Sequence, residues 1–281
     1  MKIMTKKKNK FCGTIQIVGK TNVGKSTLFN KLLEKNISII SNRKNTTEKC
    51  IIGVKNYNNY QYIFIDTPGV SKIKKFNINK YYTKNINVDL IIFIVNKNIW
   101  NKEDEKILNK IKKNKIPVLL LINKIDKIKN KKILLPFLSF LNKKFNFFKL
   151  IPVSIIKNEF ILYLKKIIKK ILPRKEHIFK KRNITYNTKK FLISEMIREK
   201  FIYYLQKELP YAIKIKTIHI KNIKLNQLKI LAEIIVKNFR HKKIVIGKNG
   251  NMIKKCNMKS RVNIENFFKK KVHLYLNVKC I

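Results

Sequence analysis

Residues 19–26, Gly-Lys-Thr-Asn-Val-Gly-Lys-Ser, constrain what this chain can fold into more than any other stretch. They have the form GxxxxGK[ST]. Before them runs a short apolar segment, residues 14–18, and after them Leu28, Phe29, Leu32 and Leu33 recur at helical spacing. Two glycines let the backbone curl until its N–H groups converge on phosphate oxygens, with a helix N-terminus behind them. Strand, phosphate turn and helix in that order call for an α/β domain. In it Lys25 is expected to bridge the β- and γ-phosphates and the Ser26 hydroxyl to hold Mg²⁺. Gly19, Lys20, Thr21, Asn22, Val23, Gly24 and Thr27 complete the stretch expected to contact nucleotide.

The rest of the first half continues the alternation. Residues 60–65, 90–95, 118–123 and 150–154 read as strands, and 101–113 and 160–172 as helices, with Ile161, Leu164, Ile168 and Ile171 on one face. Continuous apolar runs suit strands covered on both faces, so the expectation is a doubly wound domain with a mainly parallel sheet. The Asn- and Lys-rich stretches 56–59 and 127–132 read as loops. Pro173 stops the last helix, and the basic stretch 174–190 reads as a linker. Beyond it a helix (191–207), two strands (211–221 and 228–237), two helices around Gly247 and Gly250, and a strand (272–279) make a smaller α+β domain. The expected division is 1–173, linker 174–190, and 191–281.

The formal net charge is +51. A field that strong draws polyanions. Lys, Asn and Ile also dominate the chain, as A/T-rich codons would dictate, so the charge permits RNA binding without establishing it. The same bias sharpens other residues. Of seven glycines, Gly19, Gly24, Gly69, Gly247 and Gly250 fall inside motifs, as do Asp66 and Asp126 among only four aspartates. Cys12, Cys50, Cys256 and Cys280 form no CxxC pair, which argues for reduced thiols and against a zinc site. The longest apolar runs are far short of the roughly 20 residues of a membrane span. With no apolar leader after Met1 either, the cytoplasm is the expected location.

Two further motifs follow the phosphate turn. Asp66-Thr67-Pro68-Gly69 ends a predicted strand, where an aspartate can reach the metal and the Gly69 N–H can sense a γ-phosphate. Asn123-Lys124-Ile125-Asp126 ends another. A carboxylate there accepts from guanine N1–H and its 2-amino group; adenine has neither donor and would leave it unpaired. Ser154, after the next strand, stands where a backbone N–H can meet guanine O6. Thr47, in the polar run Asn45-Thr46-Thr47, is the candidate Mg²⁺ ligand of the γ-phosphate state. Val70 follows Gly69 where a water-orienting glutamine would help, so slow intrinsic turnover is expected. Asn22 is a candidate ligand for a monovalent cation, K⁺, which would supply charge in place of an arginine finger.

In the second domain Ile246-Gly247-Lys248-Asn249-Gly250, followed by Ile253 and Lys254, fits a helix–GxxG–helix unit. Its glycine loop would press on about four nucleotides of single strand. Lys248 and Lys254 would meet phosphates, and Ile246 and Ile253 would floor the groove.

Residues 19–27, 45–47, 66–69, 123–126, 194–200 (SEMIREK), 209–211 and 245–253, in this order, resemble the Era family of bacterial GTPases over nearly the whole chain. The resemblance implies a P-loop GTPase domain followed by a type II KH domain, with GTP or GDP and Mg²⁺ as ligands. It also implies binding to the 3′ end of small-subunit ribosomal RNA, a part in maturing that subunit, and peripheral association with the inner membrane. The chain stops at Ile281, directly after the last strand, which weakens the membrane expectation; a monomer is expected. Glu48 stands where relatives carry an arginine, and Ile155 where they carry an alanine. Two other readings remain: an RNA-binding module with a decayed GTPase, and another assembly or tRNA-modifying GTPase. Intact Lys25, Ser26, Asp66 and Asp126 weigh against the first. A single GTPase domain followed by GxxG weighs against the second.

Overall fold

A computed structural model describes residues 9–39, 50–68, 87–205 and 209–281. The chain forms two compact units that part after Tyr186. In chain order the first contains β1 (Phe11–Val18), α1 (Lys25–Leu33), β2 (Ile51–Tyr57), β3 (Tyr60–Asp66), β4 (Leu90–Asn96), α2 (Lys102–Ile111), β5 (Val118–Asn123), α3 (Leu134–Lys144), β6 (Lys149–Pro152) and α4 (Asn158–Ile171). The sheet order is β2-β3-β1-β4-β5-β6. All neighbours are parallel except β2, which runs antiparallel to β3.

The parallel strands are long apolar runs because helices cover both faces. On one face α2 and α3 set Ile107, Leu108, Ile111, Leu134 and Leu141 against Phe93, Val95, Leu120 and Ile122. α1 packs against β1, β2, β3 and α4. Parallel strands share one carboxyl edge, so loop 19–24 after β1, Thr67 after β3 and Lys124 after β5 open on the same side of the sheet.

Three local expectations are revised. Stretch 56–59 is not all loop: Asn56 and Tyr57 end β2, and only Asn58 and Asn59 turn, with Asn58 at φ 52°. Asparagine tolerates the left-handed region that a two-residue hairpin requires. Helix α3 follows the lysine-rich run unannounced; its Pro136 sits in the first turn, where the missing N–H has no intrahelical partner to lose. The stretch 174–186 does not run free as a linker. The Val54 N–H donates to the Ile184 carbonyl at 2.7 Å, and Gly53 bridges Thr185. Fully buried Gln61 accepts the N–H groups of Ile178 and Phe179 at 2.8 and 2.9 Å and donates to the Phe179 carbonyl at 2.8 Å. Phe179 completes a small core with Cys12, Ile52, Val54, Ile63 and Ile65. One buried aromatic in a polar, basic run leaves no periodic mark, which is why composition reads the run as linker.

The second unit contains α5 (Lys189–Tyr204), α6 (Leu209–Ala212), β7 (Lys214–Lys224), β8 (Gln227–Val236), α7 (Phe239–Ile246), α8 (Asn251–Phe268) and β9 (Lys271–Cys280). Its sheet runs β7-β8-β9, antiparallel and then parallel. Strict alternation along β8 buries Leu228, Ile230, Ala232, Ile234 and Val236 against Ile197, Phe201, Val245, Cys256 and Ile264. The strand expected from residue 211 starts at Lys214, because Leu209–Ala212 makes a helical turn first. Within α5, buried Arg198 grips Glu195 through two bonds of 2.8 Å.

Candidate functional site

The turn between β1 and α1 needs its glycines. Gly24 has φ 110°, and a Cβ there would stand 2.5 Å from Asn123 Nδ2. Gly19 lies against the Ile94 carbonyl, where a Cβ would approach to 2.5 Å. Asn22 also takes a left-handed φ, 61°, and Val23 is buried beneath the loop. Lys25 opens α1 almost fully buried and donates to the Lys20 carbonyl at 2.7 Å. Burial holds its ammonium below the usual lysine range, and Asp66 opposes that shift. Thr21 and Thr27 are half-buried on the turn and the first turn of α1.

Asp66, fully buried at the end of β3, gathers the residues around it. Its Oδ2 accepts from Ser26 Oγ at 2.8 Å and Ser38 Oγ at 2.6 Å. Its Oδ1 has no hydrogen-bond partner among the described residues. Burial pushes this carboxyl up, while Lys25, Ser38 and Ser26 pull it down. An open, buried carboxylate oxygen beside a serine hydroxyl is the donor set a hard divalent cation, or its water, takes up. Sequence reasoning missed Ser38 and its support Asn30. The Asn30 side chain accepts the N–H groups of Ile37 and Ser38 at 3.0 and 2.9 Å and donates to the Ser38 carbonyl at 2.7 Å. A buried mid-helix asparagine was the available signal, hidden in a chain rich in asparagine. Thr67 turns its hydroxyl onto the Ile17 carbonyl at 2.8 Å, which ties the loop to β1, and Pro68 is buried beside it. Gly69, Val70, Asn45, Thr46 and Thr47 lie outside the described residues.

The NKxD stretch joins three loops. Asn123 donates to the Val23 carbonyl at 2.7 Å and accepts the Ile155 N–H at 3.0 Å, so one buried amide clamps the phosphate turn to the loop after β6. Lys124, at φ 64°, reaches the Asn22 carbonyl at 2.7 Å. Ile125 and Asp126 begin a single 3₁₀ turn that leaves the Asp126 carboxylate exposed. Ser154 Oγ donates to Asp126 Oδ1 at 2.6 Å and, with Lys127 and Lys157, holds that carboxyl below its usual range. Ser154 therefore acts on Asp126 through its hydroxyl, a contact that sequence spacing did not indicate. Gly24→Ala should displace Asn123 from Val23 and impose a strained backbone, weakening GDP binding by about tenfold or more. Titration with a fluorescent GDP checks this, and unchanged affinity counts against the clamp.

In the second unit, Gly247 (φ 74°) ends α7 and Gly250 (φ 76°) opens α8. A Cβ on Gly247 would press the Met252 backbone nitrogen at 2.9 Å, whereas one on Gly250 meets nothing closer than 3.7 Å. Lys248, Asn249 and Lys254 are exposed, and half-buried Ile246 and Ile253 pack on the domain core. The loop thus presents bare backbone flanked by cations, which suits a sugar–phosphate strand.

Residues 14–124 match the family described as 50S ribosome-binding GTPase, and residues 200–280 match the KH domain. GTPase Era of Buchnera aphidicola subsp. Acyrthosiphon pisum (strain APS) is 50% identical over 278 residues, 97% of this chain and 98% of that protein. GTPase Era of Haemophilus influenzae (strain PittGG) is 42% identical over 277 residues, 96% of this chain and 91% of that protein. A crystal structure of Era in complex with MgGDPNP and nucleotides 1506–1542 of 16S ribosomal RNA superposes with TM-score 0.86 at 37% identity, covering 97% of this chain and 94% of that one. A variant of Aquifex aeolicus Era bound to GDP.AlF4⁻ gives the same TM-score, 0.86, over 96% of this chain and 94% of that one. Likeness of this strength through both units leaves one assignment: the chain belongs to the Era family of GTPases.

Proposed function

We propose that this chain is a GTP-driven switch that grips the 3′ end of small-subunit ribosomal RNA and assists maturation of that subunit. One observation carries the reading. The Era structure that holds both a magnesium-bound GTP analogue and a 16S segment aligns with 97% of this chain. The 50S description belongs to a match over residues 14–124 only and does not reach the RNA-binding unit.

In this reading the backbone of 19–24 and Lys25 hold the phosphates, and Asp126 reads guanine. Ser26 and Asp66, joined by Thr47 in the GTP state, would hold Mg²⁺, which would offset negative charge on the phosphates. Asn22 lies on the exposed crest of the phosphate turn, where it would help hold K⁺. Val70 offers no group to orient water, so turnover is slow. Lys248 and Lys254 meet RNA phosphates while the Gly247–Gly250 backbone lies against the strand. No helix among the described residues is long and apolar enough to cross a membrane.

Fluorescence anisotropy with an oligonucleotide copying the 3′ end of small-subunit RNA tests the reading. Gly250→Asp should weaken binding by at least about tenfold, because its carboxylate would face phosphate where little else fills the space. Equal affinity of the parent for a scrambled oligonucleotide would remove the ribosomal assignment. Crosslinking in cells extends the test: reads should concentrate on small-subunit RNA rather than spread over messengers.

A further inference from the structure

Aspartate is rare in this chain, at positions 66, 89, 104 and 126 only. Asp66 and Asp126 belong to the nucleotide motifs. Asp89 accepts the Thr14 N–H at 2.8 Å and pairs with Lys175 at 2.7 Å, which explains it structurally. Asp104 has no role in the reading so far. It lies in the first turn of α2, with a side chain fully excluded from solvent. Its Oδ2 accepts from Lys20 Nζ at 2.9 Å and, as one half of a capping box, from the Asn101 N–H at 3.2 Å.

The capping box does not require that carboxylate. An asparagine at 104 would present the same oxygen to the Asn101 N–H, and Glu103 and Glu105 already place negative charge at this helix end. Asparagine is also the residue this chain's composition favours. What a neutral side chain cannot supply is a countercharge for Lys20, whose side chain is itself only 11% exposed. Lys20 is the second residue of the phosphate turn, and its carbonyl is the group that receives Lys25 Nζ at 2.7 Å. Lys20 is therefore held at both ends. Its side chain is anchored to a helix packed into the core through Ile107, Leu108 and Ile111, and its main chain holds the phosphate lysine. Burial pushes the Asp104 carboxyl up, and the Lys20 hydrogen bond is the largest influence bringing it back.

We propose that Asp104 is a positioning residue for GTP hydrolysis: through Lys20 it fixes the carbonyl that presents Lys25 to the β- and γ-phosphates. The proposal rests on the assignment of Lys25 to the phosphates given above. Lys25 contributes most where charge builds on the transferring phosphoryl group, so a loosened anchor lowers kcat more than it raises KM.

The test is a double-mutant cycle on the full chain, with GTP turnover and thermal midpoint measured on each protein. Asp104→Asn keeps the capping acceptor and should lower kcat about tenfold, equal to about 1.4 kcal/mol of barrier, with a smaller change in KM. Lys20→Met breaks the same pair from the loop side, and it also reads the contact should Asp104→Asn fold poorly. The double variant should turn over no more slowly than the worse single, because both remove one interaction. Lys20→Arg, which keeps a cation within reach of Asp104, should recover part of the loss seen in Lys20→Met. An Asp104→Asn protein with a lowered thermal midpoint but the parent kcat means that Asp104 only caps α2, and the proposal fails. Independent, additive losses in the double variant overturn it equally. A parent chain that hydrolyses no GTP defeats the assignment of Lys25 itself, an outcome visible before any variant is compared.

Discussion

Lys25→Ala is expected to lower GTP turnover by at least about a thousandfold in a protein that still folds. Its ammonium is the charge that opens α1 beneath the phosphate turn, and it is almost fully buried. A cation shielded from water acts on the transferring phosphoryl group far more strongly than an exposed one, and it needs no reorganisation during the reaction. Burial already holds Lys25 below its ordinary range, and Asp66 opposes that shift. Its removal also takes away the largest influence that draws the buried Asp66 carboxyl down, so that carboxyl should shift further towards its neutral form and magnesium affinity should fall with turnover. Phosphate release under saturating GTP measures the first effect. Magnesium-dependent binding of a GTP analogue measures the second, and a variant within tenfold of the parent would mean that Lys25 does not meet the reacting phosphates.

The second large effect is a change of base. Asp126→Asn should weaken GDP binding by about a hundredfold to ten-thousandfold, from the loss of two charge-assisted hydrogen bonds at roughly 1.5–3 kcal/mol each. The geometry adds a direction to that loss. Ser154 Oγ donates to Asp126 Oδ1 at 2.6 Å, and in the variant it would keep the amide oxygen on its own side. The new NH₂ group then faces the base, where guanine presents donors and donor meets donor. Xanthine carries a carbonyl at C2 and would accept from that NH₂, so the variant should come to prefer xanthosine diphosphate. Competition between the two diphosphates decides it: a variant that still prefers guanosine places base recognition elsewhere. Ser154→Ala in the same background should blunt the switch, since it frees the amide to flip.

The strand-end placement of the nucleotide motifs was legible because it is local. GxxxxGKS, Asp66 and NKxD each follow an apolar run at once, and a parallel sheet brings the carboxyl ends of its strands to one edge. Residues 118–123 were read as a strand to the residue, since six buried apolar or amide side chains in a row leave little else to build. The helices flanking Gly247 and Gly250 were legible for a similar reason, as two glycines interrupt an otherwise helical pattern. Helix α3 and strand β2 were not, because lysine- and asparagine-rich flanks blurred both their ends.

Sequence by itself determined the order of most elements (α3 and β2 excepted), the nucleotide motifs of the first unit and the GxxG loop of the second, because each is encoded in neighbouring residues and their spacing. Tertiary structure alone decided what holds those residues in place. Ser38 beside Asp66, Asn123 between two loops, Ser154 behind Asp126, the packed stretch 174–186 and Asp104 beneath Lys20 all act across long chain separations. Such contacts are hydrogen bonds from polar side chains to other side chains or to the backbone. They impose no periodicity on the chain, and in a sequence this rich in Lys and Asn only folding can show which polar residues face inward.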